Sequence, residues 1–452
     1  MNNPLAKAIL VCCCTLLLLT ACKQDADAGE SVTLTIAGVI PDLFRMEYGQ
    51  QMEINGKTLQ LELVPYEELP RTGDLPEQVE QIYNAHSPDI VFFSGAHNLP
   101  GLIEAGYLLA LDHYMKDQQE DTASIAAIVM DKLRAAGDGQ IYAWPTTFST
   151  EALFYNRALF DRYNVPYPSE QLSWPELLSL VKQLSNREPE GQESFYPLLA
   201  PGFNEPDEKV FRLIYNAGRA EGLQIVHPAT LNVTADSDSW RALWSLFIDA
   251  FREGVISNEA YAEPEEDSAV SGITFEEKYR LFLEGKAAMA QGDPSLLYML
   301  AGQDELPWGI SRQPGSEQLY LQVTDMYGIN PNSAHKDEAW ALLSYLNSEE
   351  SVKKKTGIRA GQVGAYIASL PVRASVMEQA LSQDLSPFYD QRPASVGVYE
   401  EVGFPPQVYE TVKEQMMLQI AAVLREERTI DQAVEELQAV LETSAGGWSD
   451  AK

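Results

Sequence analysis

Apolar positions near the start of the chain change between the two-residue period of a strand and the longer period of a helix. Residues 31–40 alternate and are rich in β-branched side chains, which predicts a first strand, and residues 59–64 predict a second. Residues 75–86 carry a helical pattern, and residues 87–95 predict a buried strand that ends at a small-residue turn. Strands that alternate with a helix in this way indicate an α/β lobe with parallel strands.

Ligands of open α/β sheets bind beyond the carboxyl ends of the strands. The residues that directly follow the predicted strands are therefore expected at the mouth of this lobe. They are Asp42, Phe44, Ser94, Gly95 and His97.

The central segment, residues 139–160, changes character several times. Ile141 and Trp144 predict a strand, Pro145 breaks its pairing, hydroxyl side chains follow, and residues 152–156 predict a second strand before a short helix. This order is typical of a chain that crosses between lobes and leaves aromatic and polar groups at the crossing. A buried pair of strands joined by a threonine-rich turn explains the pattern equally well.

Later segments alternate between helices and strands. Ser173-Trp-Pro-Glu176 is a capping box that predicts the start of a helix. The aromatic stripe from Trp240 to Phe251 has helical spacing, and we interpret it as core. Residues 321–330 predict a strand, and residues 407–442 predict two amphipathic helices that are split near Thr429.

Length and charge limit the function. A chain of 452 residues is expected to form two or three domains. Its net charge of −34, with no basic stripe, excludes nucleic acid as a partner, because phosphate binding depends on clustered Lys and Arg. The same acidity weighs against an anionic ligand.

The N-terminal residues predict export. Lys7 precedes an apolar run, residues 8–20, that is too short to span a bilayer. Leu19-Thr-Ala-Cys22 resembles a bacterial lipobox, in which Cys22 would carry the lipid; the alternative is a plain signal peptide. We expect a signal peptide over residues 1–21 and a polar tether over residues 22–30.

Enzyme and metal motifs are missing from the sequence. It has no Gly-x-Ser-x-Gly elbow, no phosphate loop and no His-Glu-x-x-His, and its five histidines show no ligand spacing. The acidic residues 263–267 lack the alternating ligands of a calcium loop. We expect no catalytic residue, no metal and no cofactor.

Several segments resemble the extracellular solute-binding proteins of family 1, which serve ABC importers, often for sugars. The matching segments are GQIYAWP at 139–145, LFYN at 153–156, NVPYP at 164–168, FLEGKAAM at 282–289 and LPVR at 370–373. Asn164 stands where that family usually has Gly, and Pro294 stands where it often has an aromatic residue.

The resemblance implies a two-lobed, periplasmic-binding-protein-like α/β fold, each lobe a sheet flanked by helices, with a hinge between. We expect an N-terminal lobe of residues 31–145 and 309–332, and a C-terminal lobe of residues 146–308 and 333–452. Hinge crossings are expected near 145, 308 and 332. The protein would be a monomer, anchored by lipid on Cys22 to the outer face of the cell membrane, that delivers a small solute to an ABC permease. A receptor for a sensor kinase and an extracellular carbohydrate hydrolase are the alternatives.

A sugar site needs flat aromatic faces for the C–H surface of the ring and polar groups for its hydroxyls. The candidates for the aromatic faces are Trp144, Phe148, Tyr155, Trp308 and Tyr327. The candidates for the polar groups are Asp42, Asn156, Asp293, Asp325 and Arg373. Trp144 is preferred for the cleft, whereas Tyr155 and Trp308 would serve equally well in the core. Asp42 and Asp293 could instead cap helices.

Overall fold

The computed structural model describes most of the chain from residue 31 onward. The described ranges are residues 31–68, 75–185, 195–200, 205–227, 230–257, 275–301, 303, 305–315, 321–360, 369–390 and 406–448. The predicted signal peptide, the tether and the acidic residues 263–267 lie outside them.

Strands in the described ranges form two sheets. In chain order they are β1 (Ser31–Val39), β2 (Gln51–Ile54), β3 (Lys57–Pro65), β4 (Ile90–Phe93), β5 (Trp144–Thr150), β6 (Ala152–Asn156), β7 (Tyr196–Leu199), β8 (Ala287–Gly292), β9 (Trp308–Ser311), β10 (Leu321–Ile329) and β11 (Leu370–Pro371). The large sheet has seven strands in the order β11-β5-β10-β4-β1-β3-β2, and the small sheet has four in the order β7-β8-β6-β9.

Helices cover both sheets. They are α1 (Pro41–Tyr48), α2 (Leu75–His86), α3 (Leu99–Glu104), α4 (Asp112–Asp117), α5 (Ala127–Ala136), α6 (Arg157–Tyr163), α7 (Trp174–Ser185), α8 (Pro206–Ala220), α9 (Asp238–Arg252), α10 (Phe275–Leu283), α11 (Pro294–Leu300), α12 (Lys336–Leu346), α13 (Glu349–Ala360), α14 (Ala374–Leu381), α15 (Ser386–Tyr389), α16 (Pro406–Leu424) and α17 (Ile430–Trp448). In the described part of the chain, no helix has the length and apolar content needed to cross a membrane.

The N-terminal half of the large sheet follows its sequence pattern closely. β1 lies parallel to both β3 and β4, as expected for an α/β lobe. β2 and β3 form a hairpin whose turn residues, Asn55 and Gly56, both have positive φ, at 53° and 75°. Such a turn has the twist that a tight hairpin requires, and Asn and Gly tolerate it best.

The chain passes from the large sheet to the small one at Glu151. β5 stays paired with β10 as far as Thr150, and β6 pairs with β8 from Ala152 onward. The passage therefore lies after the expected boundary at 145. Pro145 does not end the strand, because its neighbours continue the pairing on either side.

Residues after 332 also divide differently from the expectation. Helix α12 packs on β10, β1 and β2 of the large sheet, and Tyr389 of α15 donates a hydrogen bond to Pro371 of β11. By contrast, α16 and α17 pack with α8 and α9 in a separate core beside the small sheet. The chain therefore stays with the large sheet beyond the crossing expected near 332, and the helices from Pro406 onward belong with the small sheet. Because α12 buries its apolar face, including Trp340, against the large sheet, it belongs to that lobe.

Trp144 lies in the core of the large sheet. Its side chain is buried, and its ring meets the ring of Trp340 edge-on, with the centroids 5.0 Å apart. Among the described residues, Nε1 of Trp144 is buried without a hydrogen-bond partner. The contribution of Trp144 is therefore packing between a strand and a helix.

We predict that Trp144→Ala destabilises the protein by about 3–5 kcal/mol, because the substitution leaves a cavity in a fully packed core. Urea unfolding followed by fluorescence measures the loss. Trp144→Phe should cost less, since no hydrogen bond is removed, and Leu418→Ala, on the exposed surface of α16, should cost little. Equal losses for Trp144→Ala and Leu418→Ala would contradict this packing role.

Candidate functional site

Three parallel strands of the large sheet end side by side, and exposed side chains follow them. Ile40 follows β1 and Tyr66 follows β3, and each is 55% exposed. Ser94 and His97 follow β4 and are also exposed. We call these four residues the first-lobe rim.

The antiparallel strands continue this edge. Met326 of β10 pairs with Phe93 at the end of β4, so residues 321–325 extend beyond β4 at the rim. β5 runs in the same direction as β4 and ends at Thr150. The hydroxyls of Thr147 and Thr324 lie 2.7 Å apart across this pair.

The small sheet presents polar groups where it meets the large one. Ala152 pairs with Gly292 and Leu153 pairs with Ser311, so Glu151, Asp293 and Gln313 all lie just beyond the same edge. Together with Gln291 and Lys278 they form what we call the crossover network.

The crossover network has two branches, and the members of each branch are joined by hydrogen bonds. In the first, Gln313 Nε2 donates to Glu151 Oε2 at 3.1 Å, and Gln291 Nε2 donates to Gln313 Oε1 at 3.1 Å. In the second, Lys278 Nζ donates to Asp293 Oδ2 at 2.7 Å. The backbone N–H of Asp293 donates to Tyr279 Oη at 3.0 Å.

Burial raises the pKa of the Glu151 carboxyl, and the nearby Asp293 raises it further. Lys278, the hydrogen bond from Gln313 and Arg212 act in the opposite direction. Burial also raises the pKa of Tyr279 well above its ordinary value. The extent to which Glu151 and Tyr279 ionise therefore depends on how much water reaches the network.

A buried ionic group supports the first lobe beneath α1. Lys355 of α13 lies 2.9 Å from an oxygen of Asp325 and 3.7 Å from an oxygen of Glu47. The side chains of Lys355 and Glu47 are 7% and 4% exposed. Since α1 follows the rim residue Ile40, this group fixes the helix beside the rim.

The structure separates the candidates of the first lobe by exposure. Asp42 is 99% exposed and accepts a hydrogen bond from Arg45, so it lies near the rim on the surface of α1. Phe44, Phe148 and Tyr327 are buried in the core, as is Trp144, contrary to the cleft position expected for it. Trp144 begins β5, and the strand reaches the rim only at its other end.

The remaining candidates in and near the small sheet have mostly structural contacts. The Tyr155 ring covers Gly309, where an added Cβ would lie 2.3 Å from it, and Trp308 packs near Phe154. Asn156 caps α6 by accepting from the Leu159 N–H at 3.4 Å.

Two charged candidates differ in where they lie. Asp293 caps α11 through the Ser295 N–H at 2.9 Å and also belongs to the crossover network. Asp325 pairs with Lys355 at the rim end of β10. Arg373 pairs with Glu120 at 2.8 Å, with both side chains largely buried, and so joins β11 to the chain after α4.

Six residues of the rim and the network are absent from the candidates drawn from the sequence: Ile40, Tyr66, Glu151, Lys278, Gln291 and Gln313. The rule that selected Ser94 applies equally to Tyr66, because both follow a predicted parallel strand. No local sequence pattern distinguishes Glu151. Its position between two sheets depends on which strands pair with β5 and β6, and those strands are distant in the sequence. In the described ranges, no cluster of His, Cys, Asp and Glu could hold a metal ion.

The fold and the junction define a class: a two-lobed α/β protein in which hydrogen-bonding side chains surround the residue that links its two sheets. The family described as bacterial extracellular solute-binding protein matches residues 55–385. This chain belongs to that family.

Relatives of known sequence and structure agree with this class. A binding protein from Brucella abortus is 24% identical over 343 residues, which cover 73% of this chain and 75% of that protein. The structure of an extracellular solute-binding protein of family 1 from Alicyclobacillus acidocaldarius covers 93% of this chain and all of its own, with 14% identity and a TM-score of 0.61. The sugar-binding protein MalE from Xanthomonas citri covers 92% of this chain and 98% of its own, with 19% identity and a TM-score of 0.60. These structural likenesses establish the two-lobed fold.

We predict that Lys355→Met destabilises the protein by about 3–5 kcal/mol, because it leaves two largely buried carboxylates without the cation between them. Chemical denaturation measures the change. Lys353→Met, on the same helix, removes an exposed pair with Glu349 and serves as the matched control. If the two variants unfold at the same denaturant concentration, the group beneath α1 does not stabilise the lobe.

We predict that Glu151→Gln raises the thermal midpoint at neutral pH. The folded state holds the pKa of Glu151 above its unfolded value, so ionisation of this carboxyl favours unfolding. The stabilisation that Glu151 contributes is complete below its ordinary pKa and is lost as the pH rises through the raised value. The variant and the wild type should therefore converge at acidic pH, as a calorimetric pH series would measure, and a constant difference at every pH would refute this assignment.

Proposed function

We propose that this protein is the solute receptor of an ABC importer and that its ligand is a mono- or oligosaccharide held between the lobes. The solute would lie between the first-lobe rim and the crossover network, and the loaded protein would deliver it to a membrane permease. Closure around the solute would be a rigid-body motion of one lobe against the other.

The observation that carries this proposal is the chemistry of the rim and of the crossover network. Glu151, Gln291 and Gln313 supply carboxylate and amide groups of the kind that hydrogen-bond sugar hydroxyls. On the other edge, Tyr66 offers an exposed aromatic face beside the apolar Ile40. Flat apolar surface on one side and amide or carboxylate groups on the other match the two faces of a sugar ring.

Comparison with related proteins supports the same choice. MalE from Xanthomonas citri is described as a sugar-binding protein, and a structure from Rhizobium etli with 15% identity and a TM-score of 0.56 is described as a sugar transporter. We extend that ligand class to this chain.

The N-terminal sequence supports the location that we propose. A lipid on Cys22 would hold the protein on the outer face of the membrane, next to its permease, and the polar tether would let the lobes turn freely. We propose that it acts there as a monomer.

We predict that a panel of mono- and oligosaccharides contains a ligand that raises the thermal midpoint, with an increase that grows with the logarithm of its concentration. Amino acids and polyamines form the comparison panel. A thermal shift with these compounds alone would contradict the proposed ligand class.

We predict that Tyr66→Ala weakens binding of that saccharide by about tenfold, or about 1.4 kcal/mol, because the aromatic face is lost. Titration calorimetry measures the affinity. Leu418→Ala removes a side chain that is also 55% exposed but lies on α16, and it should leave the affinity unchanged. An unchanged affinity in Tyr66→Ala would remove the rim from the site.

A further inference from the structure

Tyr66 of the first-lobe rim and Glu151 of the crossover network lie far apart along the large sheet. Tyr66 follows β3, and Glu151 follows β5. The sheet order places β1, β4 and β10 between these two strands, which makes four intervals between neighbouring strands. At the usual interval of about 4.8 Å, the distance across the strands from Tyr66 to Glu151 is about 19 Å.

The unequal reach of the strands adds a second component to this separation. Met326 pairs with Phe93 at the end of β4 and also with Pro145 of β5. The rest of β5 therefore runs beyond the end of β4, by roughly 15 Å as far as Thr150 at the usual rise per residue of a strand. Tyr66 does not share this extension, because β3, β1 and β4 end side by side.

The chemistry of the exposed groups changes along this row of strand ends. Tyr66 and Ile40, at the end far from the junction, are each 55% exposed and supply apolar surface. Ser94 after β4 is exposed and Thr324 of β10 is half-buried, so each brings a hydroxyl to the middle of the row. Glu151 and its amide partners form the other end. The row therefore runs from apolar to polar across five strands.

We propose that the solute is a linear oligosaccharide that lies along this row. The inference rests on the proposed function, since it takes one saccharide to contact both Tyr66 and the crossover network. A pyranose ring is about as wide as one interval between strands, so a solute that spans the row has roughly four linked rings. The rings near Glu151 present hydroxyls to the network, and the ring at Tyr66 presents its C–H face.

Titration calorimetry with saccharides of increasing length tests the proposal. The probes are linear glucans with α or β linkages and linear xylans, each from the monosaccharide to the hexasaccharide. In the series that binds, we expect the affinity to rise with each added ring and to level off at roughly four rings, because further rings lie beyond Tyr66. The monosaccharide should bind at least about tenfold more weakly than the tetrasaccharide, since it cannot reach the aromatic face from the polar end.

Variants at the two ends of the row locate the solute. Tyr66→Ala should weaken binding of the tetrasaccharide by about tenfold and that of the disaccharide by less than about twofold, because the disaccharide occupies the polar end. Tyr66→Phe keeps the aromatic face and should bind the tetrasaccharide as the wild type does. Gln291→Ala removes an amide at the polar end and should weaken both saccharides by the same factor. Leu418→Ala, equally exposed on α16, should change neither affinity.

The outcomes separate this inference from the function on which it rests. A loss in Tyr66→Ala that grows with chain length supports both. If a monosaccharide binds as tightly as its tetrasaccharide, or Tyr66→Ala weakens every length equally, the solute does not lie along the row, although the protein still binds saccharides. If no member of these series binds, the inference is overturned, whereas the proposed function is lost only if the whole saccharide panel also fails.

Discussion

The lobes are connected through a backbone junction one residue long. β5 and β6 belong to different sheets, yet only Glu151 lies between them, so the two sheets must approach each other closely at this point. Apolar contacts follow from that approach: Phe154 of β6 packs near Phe388 of α15, and the adjacent Tyr389 packs against Phe148 of β5. The junction places Glu151 and its hydrogen-bond partners where the chain passes between the sheets, and the candidate site includes them.

Each lobe supports its side of the junction differently. In the first lobe, α12 packs on the strands of the large sheet, and the ionic group around Lys355 holds α1 beside the rim. In the second lobe, the C-terminal helices α16 and α17 pack on α8 and α9. These two pairs of helices are far apart in the sequence.

Much of the fold could be predicted from local pattern. The alternation in β1, the Asn55-Gly56 turn and the two helices after Pro406 all appear as expected, and Ser173 and Glu176 form the predicted capping box, with the Ser173 N–H donating to Glu176 at 2.8 Å. Asn164 ends α6 with a φ of 51°, which explains how it replaces a glycine. These features depend on neighbouring residues alone.

The candidate site was less predictable, because it depends on contacts between distant segments. Trp144 and Phe148 are aromatic residues of the kind that stack on sugar rings. Both are buried, because Trp340 of α12 packs on Trp144 and Tyr389 of α15 packs on Phe148. Glu151 looks ordinary in the sequence, and only the pairing of β5 with β10 and of β6 with β8 gives it a special position. Tyr66 could have been predicted, because it follows the parallel strand β3 and ligands bind beyond the carboxyl ends of such strands. This rule was applied only to the ends of β1 and β4.

The central claim is that the two lobes close on a small solute held near the junction of their sheets. Small-angle X-ray scattering with and without a saturating saccharide that binds tests it most directly. The account predicts a smaller radius of gyration in the bound protein than in the free protein. An identical radius of gyration for the free and bound protein would contradict it.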